Sequence, residues 1–209
     1  MSNALSQADL IADLKASLND TVDSFTAVDD NDFIRHLSIA ASELTRFKPR
    51  KLVATITLTA EQSLYDAPAD IINPTVVLWG SGQRQNVKPW ENSYPSKPPT
   101  ISLLESAGVK KIQLTPAPTQ NEINKLGAEF AYTYSASHII AIDAADTTIN
   151  PADRDLLLLR ARAEALLEIA TSNTTKAATR APGQGQPKNS SAMAIHDNLI
   201  SEFEKRAKL

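Results

Sequence analysis

The sequence predicts an α+β protein. A helical bundle (residues 1–50 and 143–175) holds an inserted antiparallel β-domain (51–142), and a C-terminal linker and arm helix follow at 176–209. Three observations predict this. DFIRHLSIAASELTRF and DRDLLLLRARAEALLEIA repeat apolar residues at three- and four-residue spacing, the period of a helix. Between them, KLVATITLTAEQSLYDAPADIINPTVVLWG alternates with period two and turns through Tyr65–Pro68. After the second helix, TSNTTKAATRAPGQGQPKNS has almost no large apolar residue, the composition of a linker.

The elements follow in order. Leu10, Ile11, Leu14 and Leu18 fall on one face of a first helix. Asp29 to Asn31 are placed to cap a second, whose inner face is Phe33, Leu37, Ala40, Ala41, Leu44 and Phe47. Pro49 ends it, because a residue before proline avoids the helical region. Leu52, Ala54, Ile56 and Leu58 then face one way along a strand, and Val53, Thr55, Thr57 and Thr59 the other. PTVVLWG is a further strand. Gly80-Ser81-Gly82 and the run from Pro89 to Pro99 read as a long connection. ISLLES adds a helical turn or an edge segment, VKKIQLT a strand stopped by PAPT, and AEFAYTYSASHIIAI (128–142) the longest strand. With no crossover helix between them, these make about four antiparallel strands.

Asn150 as N-cap, Pro151 at the first position and Asp153 in the first turn open the helix with the strongest local signal. Leu156, Leu159, Ala163, Leu166, Leu167 and Ala170 form its inner stripe. Leu157, Leu158, Ala161, Ala165 and Ile169 widen the apolar arc, so the helix is buried on more than one side. One side belongs to its own subunit, and the other is open to a neighbour. A final helix at about 191–207 carries Ile195, Leu199 and Phe203 at four-residue spacing, with Lys205, Arg206 and Lys208 where the helix dipole favours cations.

Composition narrows the function. At 209 residues the chain is one domain, or one domain with a sizeable insertion. A formal net charge of -3 argues against a protein whose main task is gripping phosphates. The absence of cysteine removes disulfides, zinc–thiolate sites and thiol nucleophiles. The N-terminus lacks the pattern of a signal peptide, and no stretch matches a membrane span.

No catalytic constellation stands out. His36, His138 and His196 share no metal-ligand spacing and read as surface or interface imidazoles. Gly80-Ser81-Gly82 lacks the rest of a phosphate loop and a following helix, and reads as a turn. Asp143, Asp146, Asp153 and Asp155 suit capping at a helix start. Trp79, Trp90 and Tyr94 make either a glycan- or peptide-binding cluster, a small core that pins the loop, or an interface anchor. Lys48, Arg50 and Lys51 form a basic run that reads as a solvated turn, or as a contact to DNA phosphates or an acidic partner. The chain offers surfaces rather than enzyme equipment.

The helix DFIRHLSIAASELTRFKPR, the strand and turn RKLVATITLTAEQSLYDAPADI with Tyr65, Pro68 and Asp70, the LTPAPT at 114–119, and DRDLLLLRARAEALLEIA stand in a telling order. In layout, over nearly the whole chain, this resembles the head-to-tail adaptor (connector, head-completion) proteins of tailed bacteriophages. The resemblance implies a homo-oligomeric ring, commonly of about twelve copies, under the portal protein. It implies a virion component of the phage neck, made in the host bacterial cytoplasm, with genomic DNA passing through without specific binding. It implies no catalytic residues and no cofactor. In that frame Ile195, Leu199 and Phe203 form a portal-binding arm. Leu158, Ala161, Ala165 and Ile169 form the ring interface, and Trp79, Trp90 and Tyr94 dock the β-domain on another neck or tail protein. Two other readings are a tail terminator or stopper protein and a carbohydrate-binding β-module.

Overall fold

The structure, a computed structural model, describes residues 5–19, 22, 25, 28–88, 90–91, 94, 97–172 and 192–208. In chain order the elements are α1 (Gln7–Leu18), α2 (Asn31–Phe47), β1 (Arg50–Thr57), β2 (Leu64–Asp66), β3 (Ile71–Val77), α3 (Ser81–Asn86), β4 (Thr100–Ser106), β5 (Val109–Thr115), α4 (Gln120–Leu126), β6 (Glu129–Ala136), α5 (Arg154–Ser172) and α6 (Ala192–Ala207). The fold is α+β. It divides into a helical unit, Met1–Lys48 with His138–Leu209, and a β unit, Pro49–Ser137.

In the helical unit α1 starts at Ser6, whose hydroxyl accepts from the Asp9 amide at 3.2 Å. Leu10, Ile11, Leu14 and Leu18 are buried as their spacing predicts. The capping expected before α2 takes another form. Asp30 is left-handed (φ 58°) and makes no side-chain cap; its carboxylate pairs with Lys15 at 2.6 Å. Before α5, Asn150 accepts from the Ala152 amide at 3.0 Å and Pro151 opens a 3₁₀ turn, as expected. One core joins Leu10 and Leu14, Phe33, Leu37 and Leu44, Leu157, Ala161 and Ala165, and Phe203.

The apolar circumference of α5 has a local explanation. α1, α2 and α6 of the same chain all pack against it. The linker expected at 171–190 lies almost entirely outside the described residues, and α5 itself runs to Ser172.

The β unit holds two antiparallel sheets, ordered β1-β6-β3 and β2-β5-β4. β1 runs in register with β6 from Arg50↔Ala136 to Thr57↔Glu129. Alternation along β6 buries Phe130, Tyr132, Tyr134 and Ala136. Among the described residues there are six strands rather than about four, because the short β2 and the edge strand β4 complete a second sheet. The β4–β5 hairpin turns at Ala107 (φ 52°) and Gly108 (φ 78°), both left-handed as a tight two-residue hairpin requires.

Other expectations need correction. β6 ends at Ala136, not 142: the next residues leave the ladder and His138 bonds into the helical unit. Gly80 does precede a helix, the short α3. It sits left-handed at φ 67°, where an added Cβ would meet Leu126 at 3.0 Å. Beyond PAPT lies α4, started by a capping box in which Thr119 and Glu122 each satisfy the other's amide.

Candidate functional site

α5 is the hub of the helical unit, and its polar residues are placed by its own turns. Glu168 lies beside α2, where it accepts from Arg35 Nη2 at 2.6 Å and from His36 Nε2 at 2.7 Å. Asp32 adds a second carboxylate to Arg35 at 3.0 Å. Burial pushes the Glu168 carboxyl up, but the hydrogen bonds from His36 and Arg35 outweigh it and hold the group below its ordinary value. The Glu168 hydrogen bond in turn raises the Arg35 guanidinium. His36 is 2% exposed and packs edge-on to Phe25 and Phe33. It is a core imidazole, not the surface or interface one expected, because Glu168 supplies an acceptor where α2 meets α5.

His138 is a clamp within the same unit. Its Nε2 is 2.8 Å from the Lys48 carbonyl and its Nδ1 3.1 Å from the Thr148 carbonyl. Its amide donates to Thr45 Oγ1 at 3.0 Å. Lys48 and His138 are the residues at which the chain leaves the helical unit and re-enters it. His196 faces its neighbour Asp197 at 3.0 Å. Among the described residues no three His, Asp or Glu side chains gather where a metal ion would bind.

The basic run is largely committed to carboxylates. Lys48 pairs with Asp153 at 3.0 Å, Arg50 lies 3.5 Å from Asp70, and Lys51 is exposed.

The aromatic trio does not form one surface. Trp79 is a core residue of the β unit, 3% exposed, with its indole N–H donating to the Gly127 carbonyl at 2.9 Å and its ring tilted on Phe130. Burying so large a ring with its one polar atom satisfied makes it a core residue that ties the end of β3 to the turn before β6, not the docking surface expected. Trp90 is 77% exposed, with Lys88 Nζ 5.4 Å above its ring, and Tyr94 is half-buried. Tyr132 fills the same core; its hydroxyl finds no partner among the described residues, and burial pushes its phenol up to about 12.

The residues expected at the ring interface and the arm meet one another inside the protomer. Ala161 and Ala165 are fully buried in the core that α5 shares with α1 and α2, and Ile169 is nearly so, one residue from the Glu168 that bonds α2. Phe203 is buried edge-on to Phe47 at 5.6 Å. Ile195 and Leu199 are half-buried. Leu158 and Leu199 remain accessible and line a cavity of about 210 Å³ where α1, α5 and α6 meet.

Sequence reasoning missed this cavity and the Glu168 cluster, whose members stand more than a hundred residues apart in the chain. The one local signal was the wide apolar arc of α5.

A family model described as SU10 adaptor protein matches residues 6–198 of the chain. No curated protein matches it.

Proposed function

The chain belongs to the SU10 adaptor protein family, and from that membership we propose that it forms a ring joining the portal to the tail in the neck of a bacteriophage. The coarser role follows from the family: a structural adaptor of the virion that meets other head or tail proteins. No helix among the described residues is long and apolar enough to cross a membrane.

The family match over nearly the whole chain carries the proposal. The architecture supports it, because one chain supplies two separately packed units and thus two unlike surfaces. The helical unit builds the ring around the DNA passage. The β unit offers its exposed strands and Trp90 to the next neck or tail component. α6 is the portal-binding arm, meeting the portal with Ile195 while Phe203 anchors it in the bundle and Leu199 stays at the α5 cavity. The passage guides genomic DNA without gripping it, in keeping with the net charge of -3. The protein does its work by docking, with no chemical step.

Deleting this chain from the phage tests the role. The proposal expects DNA-filled heads without attached tails, restored by supplying the chain in trans. Normal tailed particles lacking the chain would contradict it.

A further inference from the structure

We propose that copies of this chain associate head to tail, with Ile142, Asp143 and Asp146 of one copy seated in the cavity formed by Leu158, Leu159, Leu199 and Arg162 of the next. This rests on the ring reading above and names the contact that builds it.

The cavity is apolar at its centre and polarised along its length. Asp155, the pair Leu158–Leu159, and Arg162 stand on successive turns of α5, which puts the acidic and basic ends about 10 Å apart. Arg162 Nε is buried without a hydrogen-bond partner, and no carboxylate pairs with this guanidinium among the described residues. A buried donor without an acceptor is costly, so an incoming carboxylate at that end is favoured.

The complementary knob is the turn after β6. Ile142 is 80% exposed, an unusual position for so apolar a side chain. Asp143 and Asp146 are exposed beside it and have no cationic partner among the described residues. The Asp146 amide donates to the Asp143 carbonyl at 3.2 Å, closing the turn and presenting both carboxylates with the isoleucine. An apolar tip flanked by two acids matches an apolar cavity ending in an unpaired arginine. The carboxylates must point to the Arg162 end, away from Asp155, which fixes the direction of docking.

Position decides what assembly results. The Gln7 amide donates to the Ala141 carbonyl at 3.0 Å, so the knob sits at the start of α1. Ser17 lines the cavity, which therefore sits near the end of α1, about 15 Å away. A contact between unlike patches leaves a free knob on one copy and a free cavity on another, so its repetition builds a ring where the rotation per copy closes, as the ring reading requires.

The absence of cysteine makes the test direct. The full-length variant carrying Ser17→Cys and Ile142→Cys is oxidised gently and run on a denaturing gel, with native mass measured on the same sample. The two thiols of one copy are too far apart to bridge, since a disulfide needs Cα atoms within about 7 Å. The expected result is a ladder of covalent multimers beyond the dimer; either single-cysteine variant stops at the dimer. Arg162→Glu weakens association on the order of tenfold or more, and adding Asp143→Lys with Asp146→Lys restores it. Far-UV circular dichroism confirms that each variant is folded. Multimers by native mass without the ladder would overturn this contact while leaving the ring intact. A ladder ending at the dimer, or no multimers, would overturn head-to-tail association, and the phage deletion above would still judge the adaptor role separately.

Discussion

His36 Nε2 donates to Glu168 Oε2 at 2.7 Å, tying α2 to α5 across 132 residues of sequence. Because that bond and the one from Arg35 hold the Glu168 carboxyl low, the pair contributes stability with a definite sign. A carboxyl depressed in the fold stabilises fully above its unfolded value, about 4.3, and the contribution is lost as pH falls through the lower folded value. Glu168→Gln is therefore expected to flatten the acid limb of the stability curve below about pH 4.3. Urea unfolding followed at 222 nm across that range checks it. An unchanged acid limb would remove the pair from the account.

Tyr132 gives the opposite limb. Its phenol is raised to about 12, so its stabilising contribution is complete below pH 10.0 and is lost as pH rises through 12. Tyr132→Phe should abolish that alkaline loss. Deleting a buried hydroxyl that has no partner should also raise stability at neutral pH by up to about 1 kcal/mol. Both tryptophans lie in the β unit, so their fluorescence reports its unfolding.

Trp79 and Trp90 should behave as opposites. Trp79→Ala empties a core position and should cost the β unit about 3–5 kcal/mol. Trp90→Ala should change stability by less than about 0.5 kcal/mol, since its ring is exposed. Denaturant midpoints measured on the tryptophan that remains separate the two.

The helical period of α2 and α5 and the alternation of β1 and β6 could be read from the chain because burial enforces them residue by residue. Leu37, Leu44, Phe130 and Tyr132 are all fully buried on the faces their spacing predicts. The shorter elements were hidden for local reasons. α4 depends on a capping box at Thr119 and Glu122 that was legible but lay between proline-rich stretches. α3 depends on a left-handed Gly80 that resembled an ordinary turn. The apolar arc of α5 showed that two sides needed cover, but not that α6 of the same chain supplies it. Which aromatic is core was equally hidden, since Trp79 and Trp90 differ by a long-range hydrogen bond to Gly127 and not by neighbours in sequence.

His138 should be structural. Both of its ring nitrogens face backbone carbonyls, of Lys48 and Thr148. His138→Ala leaves those part-buried groups without this partner and should destabilise the helical unit by about 1–3 kcal/mol, read as a lower urea midpoint at 222 nm.

Phe203 tests where α6 rests. Phe203→Ala opens a cavity against Phe47 and should cost about 3–5 kcal/mol if α6 sits on its own α5. Leu199→Asp, at a half-buried position, should cost less. Urea unfolding at 222 nm ranks them, and equal small effects would place α6 elsewhere.

The central claim is that this chain is a ring-forming adaptor between portal and tail. Native mass of the full chain, alone and then with purified portal protein, tests it most directly. The account predicts a complex in which many copies of the chain sit on one portal assembly. A chain that stays monomeric and indifferent to portal would contradict it.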